Sequence, residues 1–291
     1  MRPTQLIVLT AVSMVAFAGN SLLCRLALKS TAIDPASFTS IRLVSGALAL
    51  WLILWIRSSR TSNSNKGTGR ASGDWLSACA LFIYAAAFSF SYTHVSAGVG
   101  ALLLFGAVQA TMMGYGITMG ERLSKLQLLG LVAACAGLVG LLLPGLSAPP
   151  LQSALLMLAS GAAWGVYSLR GRRAVDATHA TAGNFLRAAC LALLSSMVMQ
   201  SKLSLNETGI YYALLSGALT SGVGYAIWYS VMPRLSATVA STVQLTVPVL
   251  AALGAMAWLS EPFTLRILMA CVAILGGVAL TILYRKRMPL G

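Results

Sequence analysis

Apolar residues run along this chain in stretches of about 20, long enough as helices to cross a hydrocarbon core of roughly 30 Å. Ten such stretches can be marked, near residues 5–24, 35–56, 75–93, 97–120, 126–144, 151–170, 180–200, 209–231, 236–259 and 265–284. The breaks between them are short, and only 57–74, rich in Ser, Gly and Arg, reads as a flexible polar linker. The pattern predicts an all-α integral membrane protein, ten transmembrane helices in one membrane domain. Met1-Arg2, the apolar run after it and Ala16-Phe17-Ala18 also satisfy the loose pattern of a cleavable signal peptide. The apolar pattern continues through Leu22-Leu23, so the segment is read as the first span.

Composition agrees. Of 291 residues, 58% are apolar and 9% charged, with a mean hydropathy of +0.82; a soluble domain carries about 25% charged residues. The charge is lopsided, 20 Lys+Arg against 6 Asp+Glu, for a net +14. In a soluble protein that balance points to nucleic acid. Here its placement explains it. With a cytoplasmic N-terminus, Arg2, Arg57, Arg60, Lys66, Arg70, Arg122, Lys125, Arg170, Arg172, Arg173, Arg234, Arg285, Lys286 and Arg287 fall on the inner side, and only Arg25, Lys29, Lys202 and Arg266 on the outer. This positive-inside bias predicts an inner-membrane protein with both termini cytoplasmic and no nucleic-acid partner. Trp51, Trp55, Trp75, Trp228 and Tyr284 would form the inner aromatic belt, and Tyr211, Tyr212 and Trp258 the outer.

The chain also repeats itself. Shifted by 140 positions, 95–143 meets 235–283 without gaps and with ten identities in 49, among them Ser96-Ala97 on Ser236-Ala237, Gly114 on Gly254 and Glu121 on Glu261. Earlier, Phe17-Ala18-x-x-Ser21 faces Trp164-Gly165-x-x-Ser168, Arg25 faces Arg172, and Ile41-Arg42 faces Leu186-Arg187. Five spans followed by five more place the copies, 1–145 and 146–291, in opposite orientations, an arrangement that gives two similar gates around one central site.

An aromatic-small-x-x-Ser motif in the first helix of each unit, an Arg in the second, a Ser-Ala start to the fourth and a Gly-Glu or Ser-Glu end to it together resemble the EamA family of the drug/metabolite transporter superfamily. Within that superfamily the chain is most similar to the YddG-type aromatic amino-acid exporters. The resemblance implies a ten-helix inverted repeat that moves small organic solutes out of the cell; nucleotide sugars, lipids or drugs are the alternative cargoes. It does not determine the solute.

The polar residues narrow the chemistry. All six acids, Asp34, Asp74, Glu121, Asp176, Glu207 and Glu261, lie at or beyond helix ends, and Asp34 and Asp74 suit N-capping. With no carboxylate near a span centre, export by alternating access without proton coupling through a buried acid is the simpler expectation. Phe17 and Asn20, Tyr84 and Phe88, Trp164 and Tyr167, Tyr225 and Tyr229, and the amides Gln109 and Gln244 are candidates to line a cavity for amino acids, aromatic or otherwise neutral, with His94 at an outer vestibule. Aromatic walls and amides suit a zwitterion with an apolar side chain. Arg42 and Arg187, about seven residues into their helices, are expected first to snorkel or to satisfy backbone carbonyls, ahead of contacting a substrate carboxylate. Glu121, Glu261 and the hinge candidate Pro248 complete the structural or gating set.

Five cysteines without a CxxC spacing and two distant histidines point to no metal and no cofactor. The buried Asp pair, Gly-x-Ser-Gly motif or clustered acids of membrane-embedded enzymes do not occur, so enzyme activity is not expected. The partners expected are a small-molecule substrate and the lipid bilayer, with the chain a monomer or weak homodimer.

Overall fold

In the computed structural model, which describes residues 2–60, 73–119, 124–143, 148–171, 176–199, 203–235 and 243–283, the apolar stretches wind into helices. These are α1 (Pro3–Ser30), α2 (Pro35–Arg60), α3 (Trp75–Tyr92), α4 (Ala97–Thr118), α5 (Lys125–Leu142), α6 (Leu151–Gly171), α7 (Ala177–Val198), α8 (Glu207–Val231), α9 (Thr246–Leu259) and α10 (Leu265–Leu283). No strand occurs among the described residues. The helix starts are set by side chains that satisfy otherwise orphaned backbone donors. Asp74 accepts from Ser77 N at 2.9 Å, Asp34 from Ala36 N and Ser37 N at 2.9 Å, and Asn206 from Gly209 N at 3.0 Å.

Among the described residues six helices, α1, α2, α3, α4, α7 and α8, are long and apolar enough to cross a membrane, while α5, α9 and α10 carry shorter apolar stretches. Their outward faces expose Leu48, Trp51 and Trp55 on α2, Leu128, Leu129 and Val132 on α5, and Leu194, Met197 and Val198 on α7. So broad an apolar surface fits lipid rather than water: the protein is a multi-pass membrane protein. Trp51, Trp55, Trp75, Tyr211 and Trp258 are exposed as belt residues would be. Trp228 departs from expectation; it is 4% exposed and stacks edge-on against Phe17 at 5.9 Å, because the indole fills the interior between α1 and α8.

Exchanging the first five helices with the last five maps the principal packing pairs onto one another. α3 and α4 pack on α6 as α8 and α9 pack on α1, α2 meets α8 as α7 meets α3, and α2–α7, α4–α9 and α5–α10 pair with their own counterparts. Small residues make the close approaches possible. A methyl at Gly217 of α8 would collide with Arg42 O and Ser45 Oγ of α2, one at Gly161 of α6 with Leu104 O of α4, and one at Gly277 of α10 with Gly130 O of α5.

Within α8, Leu215–Val223 is π-helical, which the sequence pattern does not reveal. The wider winding places residues five apart on one face, so Ser216 and Ser221 both turn inward, buried against α1 and α2. Pro248, the hinge candidate, lies in the first turn of α9, which begins at Thr246 after a turn at Leu245 that separates it from helical Val243 and Gln244.

Candidate functional site

Rings from both halves converge at the centre. Phe17 of α1 meets Trp164 of α6, its counterpart in the repeat, edge to face at 6.4 Å. Trp164 also contacts Tyr84 of α3 at 4.9 Å, Tyr225 of α8 at 5.1 Å and Tyr167 at 5.5 Å. Phe17, Tyr84, Trp164 and Tyr225, with Asn20, Ser21, Phe88, Leu104 and Phe105, enclose a cavity of about 20 Å³, room for about one water molecule. A solute the size of an amino acid enters only if the rings part.

Six of the sequence candidates, Phe17, Asn20, Tyr84, Phe88, Trp164 and Tyr225, therefore lie on one cavity. Tyr167 and Tyr229 are buried behind it. Gln109 is buried on α4 away from the lining, and Gln244 is half-buried just ahead of α9. His94 is exposed and shares a 2.6 Å hydrogen bond with Thr93, at a helix end rather than on the cavity. Sequence reasoning missed Ser21, Leu104 and Phe105; Ser21 was visible as the last residue of the aromatic-small-x-x-Ser motif.

A polar layer adjoins the rings. Asn20 Nδ2 donates to the Tyr84 hydroxyl at 3.4 Å, and Asn20 Oδ1 accepts from Ser216 at 2.7 Å and Thr220 at 3.4 Å. Arg42 joins the same network. Its Nη2 donates to the Tyr84 hydroxyl at 3.1 Å, its Nε to Ser221 Oγ at 3.2 Å, and its guanidinium carbon stands 5.2 Å from the Tyr84 ring centroid and 5.0 Å from that of Phe88.

Arg42 is 1% exposed, so the expectation that it snorkels is corrected: the side chain turns inward because two ring faces and two hydroxyls receive it. Arg187, its counterpart, is half-buried, returns a hydrogen bond to Gly183 O at 2.9 Å and stands 5.9 Å over Trp75 near a helix end.

Hydrogen bonds tie the two ends of the bundle. At one, Arg25 Nε meets Glu261 Oε1 at 2.9 Å while Arg25 Nη1 donates to the carbonyls of Tyr92 and Thr93, and Glu261 Oε2 accepts from Ala97 N at 2.8 Å. Ser260, at φ +50° in the left-handed region, turns the chain that brings Glu261 there. At the other end Asp74 caps α3 and pairs with Arg170 of α6 at 2.9 Å. Burial alone would raise the Asp74 carboxyl, but hydrogen bonds from Ser77 and the Arg170 guanidinium outweigh it and hold its pKa below the usual carboxylate value. Glu121, the repeat counterpart of Glu261, lies outside the described residues. Among the described residues no cluster of His, Cys, Asp and Glu could hold a metal ion.

The model of the EamA-like transporter family matches residues 4–143 and again 151–283. A Pseudomonas aeruginosa protein described as uncharacterized, PA1977, is 54% identical over 274 residues, covering 94% of this chain and 93% of its own. The Bacillus subtilis protein described as the uncharacterized transporter YoaV is 24% identical over 255 residues, 84% of this chain and 86% of its own. A crystal structure with 18% identity superposes with a TM-score of 0.69 over 99% of this chain and 100% of its own, a likeness of fold alone.

Proposed function

The chain belongs to the EamA-like transporter family, and from that premise we propose that it is a secondary transporter of the inner membrane that exports amino acids with aromatic or other apolar side chains. The observation that carries the reading is the ring-lined cavity to which both halves contribute, Phe17, Tyr84 and Phe88 from the first and Trp164 and Tyr225 from the second. Ring faces and edges accept an apolar side chain in many orientations, and Asn20 with the Tyr84 hydroxyl offers donors and acceptors to the polar end.

Ten spans in two inverted five-helix units, 1–145 and 146–291, with both termini cytoplasmic, make one gate at each membrane face. Alternating access follows when the halves rock about the cavity. The self-mapping of helix contacts between the halves supports this arrangement. Among the described residues no carboxylate lines the cavity, which supports transport down the solute's own gradient rather than proton exchange through a buried acid. The testing experiment is a flux screen in liposomes over amino acids, nucleosides and cationic drugs. Saturable flux of neutral amino acids is expected; flux of only the other classes overturns the assignment.

A further inference from the structure

Arg42 is a buried cation with unspent binding capacity. Its Nη1 has no hydrogen-bond partner, and among the described residues no carboxylate forms an ion pair with it. Burying an arginine in this state is costly, because it does not deprotonate in proteins and the two cation–π contacts and two neutral hydroxyls replace only part of its hydration. A structural arginine would be expected to end on a carbonyl or an acid, as Arg187 does on Gly183 O and Arg25 does on Glu261.

Arg42 is joined to the cavity through shared residues. Tyr84 and Phe88 line the cavity and also lie under the guanidinium, and the Tyr84 hydroxyl takes the hydrogen bond of Nη2. The rings must part for any solute to enter, and displacing Tyr84 releases Nη2 beside the already unpartnered Nη1. The two nitrogens then form the fork that binds a carboxylate through parallel hydrogen bonds. Among the described residues no acid lines the cavity to pair with an ammonium.

We propose that Arg42 is the anion anchor of the transport site, that it holds the substrate's carboxylate, and that an ammonium is not required. This rests on the transporter reading above and deepens it: the substrate class becomes monocarboxylates with an apolar or aromatic body, amino acids among them. The Tyr84 hydroxyl occupies in the closed arrangement the place that a carboxylate oxygen takes when substrate is bound.

The test uses purified full-length protein and three probes of one shape: phenylalanine, 3-phenylpropionate, which lacks the amine, and phenethylamine, which lacks the carboxylate. Binding is measured by calorimetry, and competition by phenylalanine counterflow in liposomes. The expected result is that 3-phenylpropionate binds within a few-fold of phenylalanine and phenethylamine about tenfold or more weaker, the scale of a charge-assisted hydrogen bond. Arg42→Lys, which keeps the charge and loses the fork, should weaken 3-phenylpropionate about tenfold and leave phenethylamine unchanged. Phenethylamine binding as well as 3-phenylpropionate, no binding of any carboxylate, or a folded Arg42→Lys variant with unaltered carboxylate affinity overturns the proposal. If Arg42 variants do not fold, the wild-type series decides. Arg42-dependent binding of 3-phenylpropionate without amino-acid flux defeats the amino-acid reading and leaves this one standing; amino-acid flux with a preference for phenethylamine does the reverse.

Discussion

Arg25 and Glu261, 236 positions apart in the chain, meet at 2.9 Å with side chains only 11% and 7% exposed. The pair links α1 to the α9–α10 turn, and the hydrogen bonds around it draw in the end of α3 and the start of α4. Breaking such a pair strands a charge with little water around it, at a cost of about 3–5 kcal/mol. That is enough to invert a two-state gating equilibrium.

Glu261→Gln is therefore expected to open this end of the bundle. Cys24, fully buried on α1 beside Arg25, reports it. In a background where the other four cysteines are replaced, maleimide labelling of Cys24 should rise tenfold or more in the variant. Labelling that stays at the wild-type rate would show that the pair is not a closure.

The α2–α8 contact is tight where Gly217 meets the Arg42 carbonyl. Gly217→Ala should lower stability in detergent by about 1–3 kcal/mol, the usual cost of overpacking. Gly114 has nothing within 4 Å of an added methyl, so Gly114→Ala should be neutral or slightly stabilising, since alanine is the better helix former. Thermal unfolding of the two variants side by side checks the contrast.

Much of this was legible in the sequence. The apolar stretches located the helices, and the alignment of Phe17 with Trp164 named two rings that meet at the centre. What was not legible depended on direction and winding. Arg42 and Arg187 align in the repeat, yet one turns into a nest of rings and hydroxyls while the other lies over Trp75 at the start of α3, because the neighbouring α8 is π-helical beside Arg42 and supplies Ser221. Nearly uniform apolarity hides which face of a helix looks inward, so Gln109 and Trp228 could not be placed by pattern.

The Asp74–Arg170 contact carries a pH signature. A carboxyl whose folded pKa is depressed contributes stability in full above its unfolded value, about 4, and loses it as pH falls through the lower folded value. Asp74→Asn should thus melt below wild type at pH 7, and the gap should close towards pH 3. With the two side chains 40% and 49% exposed, the gap is expected to be small and to shrink in high salt; melting curves across pH and salt measure it. A gap that is constant in pH would assign the effect to the helix cap geometry and not to the charge.

Trp164 touches Phe17, Tyr84, Tyr167 and Tyr225, and losing one favourable aromatic contact with a bound side chain is worth about 1 kcal/mol. Trp164→Ala should lower phenylalanine affinity roughly five- to tenfold in binding titrations, whereas Gln244→Ala, away from the cavity lining, should change it less than twofold. Equal effects would move the binding site away from the rings.

The central claim is that the ring-lined cavity carries neutral amino acids without protons as partners. Its most direct test is phenylalanine efflux from protein-containing liposomes with equal pH inside and out, followed together with a pH-sensitive dye. The predicted result is saturable efflux above protein-free vesicles, no accompanying pH change, and no acceleration when a pH gradient is imposed. Efflux that occurs only with a pH gradient, or protons moving in fixed ratio to phenylalanine, would contradict it.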